Sequence, residues 1–159
     1  MQYWLMKSEP DEVSIAHLAA EPDRSFPWTG VRNYQARNFM RDAMHVGDLA
    51  FFYHLSCAEP GIAGICEICS AAYPDPTQFS AVDRYYDPKS SPDKPRWWLR
   101  DVRFVASTRL LGLPEMRACS ELTAMPVLAR GNRLSITPVT PAEWQFIAGG
   151  LLGLNRFRG

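Results

Sequence analysis

The apolar runs of this chain are short, and turns close each of them. Residues 2–7, 49–54, 61–69, 96–105 and 133–139 read as strands, with 61–69 the neighbour of 49–54. Helical pieces lie between them. Ser14 is placed to cap a short helix, and residues 31–44 carry helical spacing at Ala36, Met40, Ala43 and Met44. Residues 114–122 are weakly helical. Thr140-Pro141-Ala142-Glu143 combines a capping box with proline at the first helical position and opens a final helix that should end at Gly149-Gly150. Residues 70–95 hold five of the 13 prolines, which predicts a long, turn-rich, potentially functional loop. Such a pattern points to one α+β domain over residues 1–159, built on a small curved or barrel-like sheet.

The segment from Trp28 to Asn38 is unusual chemically. It packs two asparagines, two arginines, a tryptophan and a tyrosine into eleven residues. A Trp-Thr-Gly turn runs into a helical pattern, so donors, acceptors and an aromatic face gather at a helix start, where free N–H groups favour anions. That chemistry suits a planar polar ligand carried on a phosphate, namely a nucleobase. The segment has no cysteine, histidine or carboxylate, which fits a reader rather than a catalyst. Formal net charge is zero, whereas proteins that coat long polynucleotides carry a basic excess. A pocket for one nucleotide needs only a local basic rim, for which Arg32, Arg37, Arg41, Arg130 and Arg133 are candidates.

Other chemistry has less support. Cys66 and Cys69 form a C-x-x-C inside a strand, where residues three apart point to opposite faces. With no second such pair, no metal or cofactor is expected. His54 and Cys57 are the one suggestive base and nucleophile, without an orienting third group. Lys7 interrupts the N-terminal apolar stretch, and no run approaches the ~18 apolar residues of a membrane span, so the expected location is the cytoplasm.

Several stretches resemble a known family. They include Tyr3-Trp4-Leu5-Met6-Lys7-Ser8-Glu9-Pro10, the whole Trp28–Asn38 segment, Val46-Gly47-Asp48 and Phe52-Tyr53-His54. Pro60-Gly61-Ile62, Ala72-Tyr73-Pro74-Asp75-Pro76, Tyr86-Asp87-Pro88-Lys89 and Asn132-Arg133-Leu134-Ser135 belong to the same set. Together they resemble the EVE domain, which belongs to the PUA-like superfamily and is similar to YTH domains. The resemblance covers nearly the whole chain. It implies a PUA-like small β-barrel of mixed strands flanked by helices, and a non-catalytic reader that binds modified cytosine in DNA or a modified base in RNA. A module binding a small molecule or partner is the alternative, with a small enzyme acting on a nucleotide behind it.

The resemblance also implies a site. Lys7 and Ser8 match the Lys-Ser that precedes a base-contacting residue in YTH domains. Glu9 stands at the contacting position, where a carboxylate can accept from cytosine N4. Trp28 matches a cage tryptophan, with Thr29 beside it and Asn33 on the polar wall. Tyr53 and His54 end a strand in the same region, and Tyr73, Tyr85 and Tyr86 are all candidates to complete the cage. Arg32, Arg37, Arg130 and Arg133 are expected at the phosphate or rim. Only one of Trp97 and Trp98 can line a pocket. Leu55 departs from the pattern, because many relatives carry serine directly after the Tyr-His pair.

Overall fold

The computed structural model describes residues 1–157. Strand β1 (Tyr3–Ser8) leads to helix α1 (Ile15–Ala20) and the short strand β2 (Ser25–Pro27). Helix α2 (Tyr34–Asn38) widens into a π-helical turn at Phe39–Ala43, and strands β3 (Leu49–His54) and β4 (Gly61–Ile68) follow. A ribbon of β5 (Tyr73–Pro74) and β6 (Trp98–Leu99) brackets the proline-rich loop. The long β7 (Asp101–Gly112) then gives way to α3 (Leu113–Arg117), β8 (Ile136–Val139) and α4 (Pro141–Trp144), the last widening into a π-helical turn at Gln145–Leu151.

Six strands form one mixed sheet in the order β2-β7-β4-β3-β1-β8. β1 and β3 pair in parallel, and the other pairs are antiparallel. The expected barrel does not form, since the sheet stays open with β2 and β8 as edges. Both edges are short and carry a proline, Pro27 and Pro138, which has no N–H to extend a ladder.

Strand parity sets two cores. Trp4, Met6, Ala50 and Phe52 face one side and pack with Ile15 and Leu18 of α1 and Ala36 of α2. Leu5, Phe51, Tyr53 and Ile65 face the other and pack with Met116, Trp144 and Ile147. Trp144 stacks on Phe51 at 4.1 Å and on Tyr3 at 4.7 Å. β3 is buried on both faces, as its unbroken apolar run requires.

Local signals fixed the helix starts better than their ends. Ser14 caps α1 and Thr140 caps α4 with Glu143, as expected. The helix expected over 31–44 begins only at Tyr34, because Asn33 is its cap and accepts from the Ala36 N–H at 3.0 Å. Its π-helical turn is held by buried Arg100, whose Nε donates to the Met40 carbonyl at 2.6 Å. The strand expected to stop at 105 runs on to Gly112, and the final helix passes the glycine pair to Leu151.

The Val46-Gly47-Asp48 turn has a structural explanation. Gly47 has φ +96°, a conformation that glycine adopts without a Cβ penalty. Buried Asp48 then accepts from the backbone N–H of Gln2 and His45 and from the Trp4 indole, at 3.1, 2.9 and 3.1 Å. One carboxylate thus fastens the start of β1 to the start of β3. Asp48→Ala leaves three donors without their acceptor, and a loss of about 2–4 kcal/mol is expected. It should appear as a lower urea midpoint at unchanged m-value.

Candidate functional site

Because β1 and β3 run in parallel, their C-terminal ends emerge side by side, with Ser8 opposite His54. The chain leaving β1 turns back at once. Glu12 and Val13 donate backbone hydrogen bonds to the Glu9 carbonyl, and the Ser8 hydroxyl donates to the Val13 carbonyl at 2.7 Å. Facing this turn is the one that follows β2, held by Trp28 N–H to the Arg100 carbonyl at 3.0 Å and Thr29 N–H to the Pro27 carbonyl at 2.9 Å. Between the two turns lies a cavity of about 440 Å³.

Its apolar lining comes from Val13, Phe26, Trp28, Val31 and Leu55. Trp28 is buried and meets Phe52 edge-on at 5.4 Å, which fixes the plane of its indole. Polar groups line the same space: Lys7, Glu9, Thr29 and Asn33. Among the described residues the Glu9 carboxylate has no hydrogen-bond or ion-pair partner. Burial holds the Lys7 ammonium below its ordinary pKa. An apolar cavity with a few convergent polar groups is the usual form of a small-ligand site.

Tyr85 supplies the wall contributed by the proline-rich loop. Its hydroxyl donates to Glu12 at 2.6 Å, and burial, this hydrogen bond and the nearby acids push its pKa up to about 12. Gly30 makes room for the ring: it has φ +87°, and a Cβ there would sit 2.6 Å from the Tyr85 ring.

Arg32 ties the loop to the site. Its Nε and Nη2 both donate to the Tyr85 carbonyl, Nη2 also to Thr77, and Nη1 to the Val31 carbonyl and the Asp75 carboxylate. The guanidinium also lies 5.4 Å from the Tyr85 ring and 5.3 Å from Trp97. Buried Asp75 accepts in addition from the Gly30 N–H at 2.9 Å and from Thr77.

Eight of the candidate residues singled out from the sequence therefore meet around this cavity: Lys7, Ser8, Glu9, Trp28, Thr29, Arg32, Asn33 and Tyr85. The role expected of Arg32 changes, because its five N–H donors are consumed within the protein and none is left for a phosphate. Asn33 lends its oxygen to the helix cap and keeps only its amide donors.

The remaining candidates do not line the cavity. Tyr53 packs in the opposite core, because its strand parity carries it to the far face. The His54 Nε2 accepts from the Ile15 N–H at 3.2 Å and so caps α1, which also removes that nitrogen as a base for Cys57. Tyr86 is exposed, and its neighbour Tyr85 takes the wall position. Arg37 donates to the Arg96 carbonyl at 2.7 Å and lies over the Tyr34 ring. Arg130 is exposed beyond the cavity, and Arg133 lines an adjacent groove.

Glu12 carries no signal in the sequence, and the place of Trp97 against Arg32 carries none either. Only the long-range partners Tyr85 and Arg32 give them their places, and no local periodicity signals either one. Among the described residues no cluster of three or more His, Cys, Asp or Glu could hold a metal ion, and no helix is long and apolar enough to cross a membrane.

The pattern of the EVE domain matches residues 2–149. The chain belongs to the EVE domain family. It is 45% identical to human thymocyte nuclear protein 1 over 162 residues, which covers 91% of this chain and 72% of the human protein. A solved protein from Pseudomonas putida is 51% identical at a TM-score of 0.88, covering 92% of this chain and 97% of the other. Human THYN1, solved in complex with 5-methylcytosine containing DNA, is 44% identical at a TM-score of 0.86, with 92% and 95% covered. These neighbours support a PUA-like fold for this EVE domain, with its sheet open. The expected cytoplasmic location is overturned, since the vertebrate relatives are named as nuclear proteins. Leu55, which follows His54 where the resemblance leads one to expect a serine, lies in the cavity lining and adds to its apolar surface.

Two outcomes test this architecture. Gly30→Ala meets both a left-handed backbone and the Tyr85 ring, so stability should fall by at least about 1–2 kcal/mol from the backbone alone. Part of the loss should return when Tyr85 is shortened to leucine, as measured by urea unfolding. His54 gives a pH test. Burial lowers its pKa below the ordinary 6.5, so the unfolded chain takes up a proton before the folded one does. Its contribution is complete above pH 6.5 and is lost as pH falls through the lowered folded value. The urea midpoint of His54→Gln should therefore drop less than that of the unaltered protein between pH 7.5 and pH 5.

Proposed function

We propose that this EVE domain is a non-catalytic reader of a modified nucleobase, and that it takes a modified cytosine of DNA into the Trp28 cavity. The observation that carries the reading is the partnerless Glu9 carboxylate in a cavity whose apolar lining is Trp28, Val13, Phe26, Val31 and Leu55. Cytosine offers an exocyclic amine that a carboxylate accepts. Its ring fits beside an indole, and a C5 substituent fits an apolar lining. The relative solved with 5-methylcytosine containing DNA shares this fold.

Magnitudes set the expected behaviour. Stacking one base on an aromatic is worth ~1–3 kcal/mol, while extracting that base from a duplex costs a few kcal/mol. A newly buried methyl adds ~0.8 kcal/mol, about fourfold in affinity. Binding should be modest, and its preference for the modified base should be several-fold. Zero net charge and the committed Arg32 favour gripping one base over coating a strand.

Fluorescence anisotropy with labelled duplexes bearing cytosine or 5-methylcytosine at one position tests the reading. Saturable binding with about fourfold preference for the methylated duplex is expected. Glu9→Gln should weaken it about tenfold or more while leaving the circular dichroism unchanged. Trp28→Ala should abolish it, and Trp28→Phe serves as the variant that preserves packing. Equal affinity for modified and unmodified duplexes, untouched by Glu9→Gln, would sink the proposal. Tighter binding to a modified RNA strand would move the ligand from DNA to RNA.

A further inference from the structure

The base cavity is not isolated, because Asn33 also lines a second groove of about 580 Å³. Gln35 and Phe39 form one wall of that groove. The segment leading into β8, with Asn132 and Arg133, forms the other. Its chemistry differs from that of the cavity. Glu9 and Glu12 line the cavity, whereas the groove lining contains no acidic residue.

Donors dominate there. The Arg133 guanidinium has no hydrogen-bond or ion-pair partner among the described residues, and neither has the Gln35 side chain. Asn132 and Asn33 each accept one backbone N–H, from Leu134 at 2.9 Å and Ala36 at 3.0 Å, which leaves their amide donors unused. Phe39 adds an apolar surface, held in place by its tilted contact with Trp4 at 5.3 Å. On the rest of the cavity rim, Tyr85 is hydrogen bonded across to Glu12, joining two walls.

We propose that this groove holds the nucleotide adjacent to the read base, with Arg133 on its phosphate and the amides of Asn33, Gln35 and Asn132 on its sugar and base edges. The inference rests on the reading of the Trp28 cavity as a base site. A run of donors without a carboxylate is complementary to a phosphodiester, and an arginine presents the fork that phosphate oxygens accept. Contact through one groove alone makes recognition asymmetric. One neighbour of the modified base is gripped, and the other is left to solvent.

The test uses the full chain and duplexes carrying a single 5-methylcytosine, with an abasic site placed at either neighbour in turn. Binding should weaken about fivefold or more when one neighbour loses its base and less than twofold for the other. Arg133→Gln should weaken the intact duplex and lower the salt slope of log K by about one. Combined with the sensitive abasic duplex, Arg133→Gln should cost less than the product of the separate effects. Arg133 is exposed and partnerless, so its loss leaves the fold intact. Equal effects at both neighbours, or an Arg133→Gln protein that binds like the original, would overturn the groove while Trp28-dependent binding keeps the base reading. Failure to bind any methylated duplex would overturn both.

Discussion

The Arg32–Asp75 pair is the joint on which the candidate site depends. Taking both charges out of water costs several kcal/mol per ion, and their attraction offsets this only where the remaining hydrogen bonds are also satisfied. They are satisfied here: Arg32 spends all five donors, and Asp75 accepts from Gly30, Thr77 and the arginine. The pair therefore contributes more to geometry than to stability. It draws the Trp28 turn, the start of α2 and the proline-rich loop into one frame, and Tyr85 is positioned as a result. Gln78 does similar work deeper in the loop, donating to the Asp75 and Trp97 carbonyls and accepting from the Arg96 and Trp97 amides.

Much of this was legible in the sequence, where the physics is local. Caps at Ser14 and Thr140 declare themselves within four residues, and β3 reads as a central strand because nothing polar interrupts it. Parity along a strand is equally local, so the far-face position of Tyr53 could have been read from Phe52 and His54. What was hidden depends on distant partners. Nothing near Arg32 shows that residues 75, 77 and 85 will consume its donors, and nothing near His54 reveals the Ile15 amide. Tyr85 and Tyr86 are indistinguishable in the sequence. A glycine 55 positions earlier, lacking a Cβ, decides between them.

Two helices that widen into π-helical turns mark where propensity yields to packing. The turn after α2 presents the Met40 carbonyl to Arg100, a cation whose burial lowers its pKa. Arg100 also accepts the Trp28 N–H through its own carbonyl. The same residue thus ties the helix to the sheet and sets the turn that carries Trp28. Helix geometry and pocket geometry are coupled through it, although Arg100 does not line the cavity.

The prolines at both margins of the sheet limit how this domain can meet anything else. Strand addition needs a row of free N–H groups along an edge, and Pro27 and Pro138 interrupt both rows. Recognition through the main chain is thereby discouraged at the flanks. The work falls to side chains at the strand ends, which are few and fixed in place. A molecule arranged in this way offers a partner the shape of its side chains in place of a backbone ladder.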